Sequence, residues 1–450
     1  MKEKRDTVSP SLLERECRAY LEKESQIKAV TMCFSDIEGR FHTLDYDKKF
    51  FLQSSNNLTF DGSSIRGFTA QSESDLRLAP DWTSMYFLPS DIFGPGKVVM
   101  FGNVLNRNHS PYESDFRSLL QQYTQNMRKK EKLIAHAAVE LEGFLLEGQS
   151  AEQNFNEATG FPLTSLGGYF HTLPLSTLRQ FIDKAAEAMR AMGYQNEKDH
   201  PEVAPSQFEL NYSYTEALRA CDQIQLYKLV CRQIAHNMGM TASFLPKPIV
   251  GINGSGMHTN FSLSKNGKNI FYDKRGKDGL SETAWNFIDR VLNHAQEICL
   301  IFNSSVNAYR RLDPHFEAPN QIKVSPIDRG SMIRIPVGNE KTARIEVRSV
   351  APDSNPYLVL YTLIRTGLEG QKGTRSAQIQ TLPGTLYSAL SYFENGQFVE
   401  KILGKENKQK YASFKRAVAE RCPKELGTIV KRSEIVYHHE ITNQVLWNNF

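Results

Sequence analysis

Four strand-like segments, far apart along the chain, alternate polar and apolar residues. Residues i and i+2 of a strand point to the same face of a sheet. The segments cover residues 139–142, 206–212, 257–263 and 344–348. Each has acids, imidazole, amides or guanidiniums on one face and mainly apolar side chains on the other. We therefore expect four strands to present polar and ionisable groups to one surface, forming a metal-filled funnel rather than a hydrophobic core.

Other segments have the apolar period of helices, and shorter runs indicate further strands. Predicted helices span residues 11–23, 176–192 and 215–238, and predicted strands span 29–34 and 40–45. Gly193 and Gly239 mark the ends of the two longer helices. From about residue 111, helices and strands alternate. We expect an α+β fold with a small N-terminal domain over residues 14–105 and a large catalytic domain over 111–450.

The length and charge of the chain limit the classes of protein to which it can belong. With 450 residues, 40% of them hydrophobic, it is long enough for two domains with sizeable cores. The 54 basic residues nearly balance the 50 acidic ones, so the net charge of +4 predicts no binding of nucleic acid or anionic membrane. Two basic clusters, residues 128–130 and 405–410, are interpreted as solvated helix faces.

No segment of the sequence predicts export or membrane insertion. The N-terminus has no apolar stretch, and the longest apolar run, residues 357–364, is too short to span a bilayer. The six cysteines include no CxxC pair, so nothing requires an oxidising compartment. We expect a soluble, cytoplasmic protein.

The ionisable residues in and beside the four polar segments are suited to divalent cations. They are Glu140, Glu142, Glu202, Glu209, His258 and Glu346. Glutamate and one neutral imidazole, without cysteine, favour Mg²⁺ or Mn²⁺. The carboxylates exceed what one ion needs, so we expect two or more ions.

Several arginines and a glycine-rich loop add groups that can bind phosphate to these candidate metal ligands. The arginines are Arg311, Arg329, Arg334, Arg344 and Arg348. Metal ions and guanidiniums together neutralise a transferring phosphoryl group. The loop 251–256, whose amides could approach an anion, directly precedes His258. These residues favour metal-assisted phosphoryl or acyl-phosphate chemistry, although the acids at 140–142 could form a solvent-facing edge and residues 344–348 an ion-pair ladder.

A series of ordered motifs resembles those of the type I (bacterial) glutamine synthetases. The motifs are FDGSSI (60–65), ESD (73–75), PD (80–81), ELE (140–142), GGYF (167–170), HPEVAPSQFE (200–209), the loop and strand 247–262, NAYRRL (307–312), FEAP (316–319), IRIP (333–336), RIEVRS (344–349) and NPY (355–357). The resemblance implies a β-grasp-like N-terminal domain and a catalytic domain built on a curved antiparallel sheet. It also implies a homododecamer of two hexameric rings with active sites between subunits.

The resemblance implies ATP-dependent ligation of ammonia to L-glutamate through γ-glutamyl phosphate, giving L-glutamine, ADP and phosphate. By position, Glu142, Glu202 and Glu209 would hold the metal nearer glutamate, and Glu140, His258 and Glu346 the metal bridging the ATP phosphates, both ions being Mg²⁺ or Mn²⁺. Arg329, Arg344 and Arg348 would neutralise the transferring phosphoryl group, and Glu197, Ser262, Arg334 and Arg344 would contact ATP.

The resemblance also assigns residues to the two smaller substrates. Glutamate would be bound by Asn253, Gly254 and Arg311. Ammonium would bind at Asp61 of a neighbouring subunit, which would accept its proton, with Ser64 and Tyr169 beside it. Glu317 would lie on a flap that closes over the γ-glutamyl phosphate and excludes water. Such a flap suits an acyl phosphate, and a carboxylate suits ammonium, which is nucleophilic only once deprotonated.

Some positions depart from the family pattern, and two other functions stay open. Asn260 stands where many members have a second histidine, and Gly143 stands where an aromatic residue is usual. Residues 327–329 are Ile-Asp-Arg in place of the commoner Arg-Asn-Arg, so one arginine of that motif is missing. One alternative is a γ-glutamyl ligase for a larger amine, such as a polyamine or ethanolamine, and the other is a non-catalytic structural or regulatory relative. The complete ammonium pocket favours ammonia, and the complete set of metal ligands favours catalysis. The paired His438 and His439 are interpreted as surface residues.

Overall fold

The computed structural model describes residues 10–152, 160–171, 176–249, 251–312, 318–373 and 379–420. Its helices are α1 (Pro10–Lys23), α2 (Lys48–Ser54), α3 (Ser90–Phe93), α4 (Phe116–Glu131), α5 (Thr177–Ala191), α6 (Ala217–Asn237), α7 (Glu282–Asn293), α8 (Ala295–Phe302), α9 (Val306–Arg311), α10 (Pro356–Glu369), α11 (Leu386–Asn395), α12 (Gln397–Leu403) and α13 (Lys405–Glu420). Its strands are β1 (Ala29–Ser35), β2 (Phe41–Asp47), β3 (Leu58–Asp61), β4 (Asp75–Pro80), β5 (Tyr86–Phe87), β6 (Lys97–Leu105), β7 (Leu133–Glu147), β8 (Asn196–Pro201), β9 (Gln207–Tyr212), β10 (Thr215–Glu216), β11 (Met240–Ser243), β12 (Met257–Lys265), β13 (Lys268–Asn269), β14 (Gln321–Ser325), β15 (Ser331–Arg334) and β16 (Ile345–Val347). Glu317, His438 and His439 lie outside the described residues.

The first six strands form one sheet, which carries the N-terminal core. Their order is β2-β1-β6-β4-β3, with β5 beside β6. β1 runs antiparallel to β2 and parallel to β6. Val30 and Phe34 of β1, Met100 of β6 and Leu21 of α1 belong to one buried apolar cluster. The two strands predicted in this region are present, each within two residues of the predicted ends.

A ten-stranded sheet provides the framework for the rest of the chain. Its order is β14-β15-β16-β12-β7-β9-β8, with β10 and β11 beside β7 and β13 beside β12. β7 and β12 pair antiparallel in an unbroken register, from Met257 opposite Leu141 to Lys265 opposite Leu133. The four polar segments of the sequence lie in or beside β9, β7, β12 and β16, which are consecutive neighbours in this sheet.

Amphipathic helices cover the apolar side of this sheet. Ile224 and Ile234 of α6 share one buried cluster with Leu141 of β7 and Leu210 of β9. α5 begins after Ser176, whose hydroxyl accepts a hydrogen bond from a backbone N–H in the first turn. The helix predicted over 176–192 therefore exists within one residue of each predicted end.

Two local predictions were wrong. Thr215 and Glu216, predicted as the start of a helix, form β10 against β7, because sheet pairing at this edge suits the β-branched Thr215. Lys408, interpreted as part of a solvated face, is buried. Its ammonium donates to the backbone carbonyl of Gly396 (2.8 Å) at the C-terminal end of α11, where a cation satisfies an unpaired carbonyl.

The buried side chain of Arg117 connects the N-terminal domain with the domain that contains the ten-stranded sheet. Arg117 of α4 is 1% exposed and donates to both carboxylate oxygens of Asp222 on α6 (2.9 and 2.8 Å). The same guanidinium donates to Asp81, which follows β4 (2.8 Å), and to Asn103 of β6 (2.8 Å). Because both acids are buried as well, Arg117 balances charges that have no access to water.

We expect Arg117→Met to lower the free energy of unfolding by about 3–5 kcal/mol, since it would leave Asp81 and Asp222 buried without their cation. Urea unfolding followed by circular dichroism measures this change. The matched control is Arg107→Met, which removes an exposed arginine from the same region. Equal unfolding midpoints for the two variants would contradict the prediction.

Candidate active site

Neighbouring strands of the large sheet place imidazole and carboxylates around one point. Nδ1 of His258 (β12) lies 3.7 Å from a carboxylate oxygen of Glu140 and 3.7 Å from one of Glu142, both on β7. The same nitrogen lies 3.8 Å from a carboxylate oxygen of Glu346 on β16. The register explains this convergence, because His258 pairs directly with Glu140 and Glu209 pairs directly with Glu142.

Glu140, His258 and Glu346 form the first group with the geometry of a metal site. One ligand atom from each lies within 4.8 Å of the others. Asn260 donates to Glu140 (3.0 Å) from two residues along β12. Burial raises the pKa of Glu140, but the nearby imidazole of His258 and the hydrogen bond from Asn260 outweigh it and lower that pKa to about 2. Glu140 is therefore a carboxylate, the form that binds cations.

His200, Glu202 and Glu209 form the second group, again with one ligand atom of each within 4.8 Å of the others. Burial and the nearby carboxylate of Glu142 raise the pKa of Glu202 to about 7. The same two causes raise the pKa of Glu209 well above its usual range. Without a cation, these two carboxyls therefore tend to retain protons, because the surrounding side chains do not balance their negative charge.

Glu142 lies between the two groups and is anchored by the glycine-rich loop. One of its oxygens accepts from the backbone N–H of Gly256 (2.7 Å) and from the side-chain amide of Gln207 (3.3 Å). Gln207 also donates to the carbonyl of Gly254 (3.0 Å). A Cβ at position 256 would come within 2.5 Å of Nε2 of His258, so only glycine lets the loop approach this closely.

The residues of both groups fit divalent cations. The donors are carboxylate oxygens and imidazole nitrogens without thiolate, which suits Mg²⁺ or Mn²⁺. Burial and repulsion by the carboxylate of Glu142 raise the pKa values of Glu202 and Glu209, and a bound cation would counter both effects. In the described part of the chain, the buried Nε2 of His200 has no hydrogen-bond partner, as expected of a nitrogen reserved for a ligand.

Arginines line the cavity above these groups, which has a volume of about 460 Å³. Glu346 accepts from Arg348 (2.7 Å) and forms an ion pair with Arg334, so one buried carboxylate orients two guanidiniums. Arg344 donates to Asn260 (2.8 Å). Arg311 is buried and donates to the carbonyl of residue 348 (2.8 Å), and burial lowers its pKa to about 10. A cavity of this size that is lined by cations suits a phosphorylated small molecule.

Most residues predicted for the site meet in this cavity. Those that line it are Glu140, Glu142, Tyr169, Glu197, Glu202, Glu209, Asn253, Gly254, His258, Ser262, Arg311, Arg329, Arg334, Arg344 and Arg348. Glu346 lies beneath them and is fully buried. Asp61 and Ser64 lie elsewhere, on an exposed turn of the N-terminal domain. Of the three residues predicted for ammonium, the cavity of a single chain therefore contains Tyr169 but neither Asp61 nor Ser64.

The turn at Asp61 holds its carboxylate in a fixed direction. Asp61 accepts from the hydroxyls of Ser63 (2.6 Å) and Ser64 (2.6 Å) and from the backbone N–H of Ser63 (2.9 Å). These hydrogen bonds lower the pKa of Asp61, so the group is ionised at neutral pH.

Sequence reasoning missed two residues of the site, His200 and Gln207. His200 lies two residues before Glu202, and this spacing was the signal for a shared face. Gln207 has the same spacing to Glu209, but a glutamine that positions a glycine loop has no local signature.

Comparisons with known proteins agree with this arrangement. One family model, described as glutamine synthetase, catalytic domain, matches residues 113–375, and another, glutamine synthetase, beta-Grasp domain, matches residues 26–107. Glutamine synthetase of Clostridium saccharobutylicum is 34% identical over 420 residues, 88% of this chain and 93% of that protein. Glutamine synthetase of Thermus thermophilus is 35% identical over 408 residues, 85% of this chain and 90% of that protein.

Solved structures share the fold. A cryo-EM structure of Plasmodium falciparum glutamine synthetase has a TM-score of 0.82 at 21% identity, over 93% of this chain and 98% of that one. A GmaS/ADP complex has a TM-score of 0.80 at 24% identity, over 93% and 99%. These matches confirm the predicted α+β fold with a β-grasp domain and a catalytic domain. Among the described helices, none is long and apolar enough to cross a membrane.

Proposed function

Because the chain belongs to the glutamine synthetase family and is therefore a ligase, we propose that it is a type I enzyme that joins ammonia to L-glutamate with hydrolysis of ATP to ADP and phosphate. The observation that carries the proposal is the meeting of two acid-and-imidazole groups and several arginines in one cavity. Such a site suits the transfer of a phosphoryl group to a carboxylate.

In the first step, the γ-carboxylate of glutamate attacks the γ-phosphorus of ATP and ADP leaves, forming γ-glutamyl phosphate. Divalent cations held by the two groups would neutralise the phosphate oxygens. Arg329, Arg344 and Arg348 stabilise the charge that develops on the transferring group. Arg334 and Arg344 with Glu197 and Ser262 hold the nucleotide at the other side of the cavity. Arg311, Asn253 and Gly254 bind glutamate.

In the second step, ammonia attacks the acyl carbon, and phosphate leaves with the electron pair of the broken C–O bond. Ammonium must first lose a proton, and we assign that proton to Asp61 of a neighbouring subunit, beside Ser64 and Tyr169. Glu317 covers the intermediate so that water does not hydrolyse it. This scheme requires an oligomer, and we propose a dodecamer of two hexameric rings.

Three further features belong to the same proposal. The N-terminal and catalytic domains are assigned to residues 14–105 and 111–450. The requirement for ATP and glutamate favours a cytoplasmic location. The carboxylates and imidazoles of the site favour Mg²⁺ or Mn²⁺, with two or more ions in each active site.

One observation favours the alternative of a larger amine. Tyr169 and Phe170 stack on each other with ring centroids 3.8 Å apart and are 47% and 59% exposed. Both rings contact the imidazole of His200 edge-on, beside the second group. An exposed apolar surface at this place would also accept the alkyl part of an amine.

Phosphate release from ATP, measured with purified protein, Mg²⁺ and glutamate, tests the proposal. We expect turnover with ammonium, with glutamine as the product in chromatography, and at most about a tenth of that kcat/KM with methylamine, ethanolamine or putrescine, since burying a larger amine costs at least about 1.4 kcal/mol in a pocket shaped for ammonia. Turnover restricted to a larger amine would reject the ammonia ligase. If an intact oligomer releases no phosphate with any of the amines tested, both ligase functions are rejected.

A further inference from the structure

We propose that His200 is a ligand of the metal ion in the second group, so that this site binds its cation through an imidazole nitrogen as well as through carboxylates. The resemblance to known sequences assigns this ion to glutamates only. The inference rests on the proposed function only in taking the cavity to bind divalent cations.

His200 is placed on the second group by strand pairing. It lies on β8, directly opposite Glu209 on β9, and it is 6% exposed. Its Nε2 lies 3.6 Å from a carboxylate oxygen of Glu209, and its Nδ1 lies 3.6 Å from one of Glu202. Neither distance is a hydrogen bond. Two donors that are each about 2.1 Å from one ion are typically about 3–4 Å apart, so a cation fits between Nε2 and the oxygen of Glu209.

The hydrogen bonds of the imidazole leave one nitrogen free for a ligand. Nδ1 lies 3.1 Å from the backbone carbonyl of Pro201, which can only accept, so Nδ1 carries the proton and donates it. Nε2 is then unprotonated, and its lone pair faces Glu209. Within the residues that the structure describes, this buried nitrogen has no hydrogen-bond partner. Histidines that bind metals show this arrangement, with the second ring N–H donated to a carbonyl or carboxylate.

The surroundings keep the ring in this orientation. The rings of Tyr169 and Phe170 contact the imidazole edge-on, with centroid distances of 5.6 and 5.0 Å. One oxygen of each nearby carboxylate already accepts a hydrogen bond: Glu142 from Gly256 and Gln207, Glu202 from the N–H of Val203 (2.9 Å), and Glu209 from Asn211 (2.7 Å). Nε2 of His200 is the buried donor of the second group that has no hydrogen-bond partner in the described part of the chain, and each carboxylate keeps a second oxygen for a cation.

An imidazole ligand changes the metal preference of this site. Nitrogen donors favour Mn²⁺ over Mg²⁺, because Mg²⁺ prefers oxygen ligands. When the imidazole nitrogen is removed, Mg²⁺ keeps a water molecule at that position instead. We expect His200→Asn to weaken one of the Mn²⁺ sites of the apo-protein by about 10- to 100-fold and to change Mg²⁺ affinity by less than about 3-fold. Asparagine keeps a donor near the position of Nδ1 and removes Nε2.

Isothermal titration calorimetry without substrates measures these affinities for the full chain. The control is His236→Asn, which replaces an exposed histidine at the end of α6 and should bind Mn²⁺ as the unchanged protein does. Wild-type Mn²⁺ affinity at every site of His200→Asn would overturn the proposal. A comparable loss in His236→Asn would also overturn it, because the effect would then not be local.

Pulsed electron paramagnetic resonance of bound Mn²⁺ gives an independent readout. His258→Asn removes the imidazole of the first group, so a nitrogen coupling that remains in this variant and disappears when His200 is also replaced comes from His200. We expect this coupling in His258→Asn and its loss in His258→Asn/His200→Asn. Bound Mn²⁺ without nitrogen coupling in His258→Asn would overturn the proposal. Neither measurement depends on turnover, so a failure of ligase activity with intact coupling would reject the proposed function alone.

Discussion

Glu346→Gln should lower glutamate-dependent phosphate release from ATP by at least about 10³-fold, which corresponds to about 4 kcal/mol of transition-state stabilisation. Glu346 is fully buried, and its two oxygens serve three partners. One oxygen accepts from Arg348 (2.7 Å) and lies 3.8 Å from Nδ1 of His258, while the other forms the ion pair with Arg334. The substitution keeps the shape of the side chain but removes the charge that holds these groups together.

Several consequences would follow from this one change. The first metal group loses a carboxylate, and Arg334 and Arg348, which line the cavity, lose the anion that orients them. A coupled phosphate assay measures the loss, with retained circular dichroism as evidence of folding. Glu282→Gln, at an exposed position in the first turn of α7, is the matched control and should retain full activity. Phosphate release by Glu346→Gln within tenfold of the control would contradict the metal assignment.

Asp61→Asn should lower kcat/KM for ammonium by about 10²- to 10⁴-fold, the contribution typical of a general base. The carboxylate is exposed and held by the hydroxyls of Ser63 and Ser64, and asparagine keeps that geometry while it cannot accept a proton. Because hydrogen bonding lowers the pKa of Asp61, the group stays an unprotonated carboxylate throughout the neutral range and is protonated only in acid.

Hydroxylamine separates this role from a structural one. Its conjugate acid is a much stronger acid than ammonium, so at pH 7 hydroxylamine is already mainly the neutral nucleophile and needs no base. We expect Asp61→Asn to use hydroxylamine with less than about tenfold loss, since only proton removal is impaired. The control is Asp91→Asn, which alters an exposed acid elsewhere in the N-terminal domain. Equal losses with ammonium and hydroxylamine would show that Asp61 shapes the subunit boundary and does not act as the base.

The sequence predicted those parts of the site that depend on local patterns and not those that depend on contacts between distant segments. Alternation of residues along a strand is local, so the shared faces of Glu140 with Glu142 and of Gln207 with Glu209 were readable directly. The order β16-β12-β7-β9 depends on hydrogen bonds between segments far apart in the chain, and no local pattern encodes it. The six ligands were therefore identifiable as candidates from local patterns, whereas their division into two groups came from the resemblance to a known family and not from those patterns.

His200 and Thr215 show two further limits. His200 was overlooked although its spacing to Glu202 was readable, because its contacts with Glu209 and Pro201 appear only once the strands are paired. Thr215 was placed in a helix because its neighbours have a helical period. In the structure, antiparallel pairing with β7 sets its conformation instead. Asp61 stands apart from the cavity in one chain, so its role depends on a second copy.

The unbroken register between β7 and β12 restricts how this protein can evolve. Side chains on a strand alternate between faces, so inserting or deleting one residue in β7 would turn Glu140 and Glu142 away from His258 in a single step. Substitutions can adjust the site one residue at a time, but a change in strand length removes both acids together. We therefore expect descendants that keep the activity to vary the length of their loops and to keep the length of this strand unchanged.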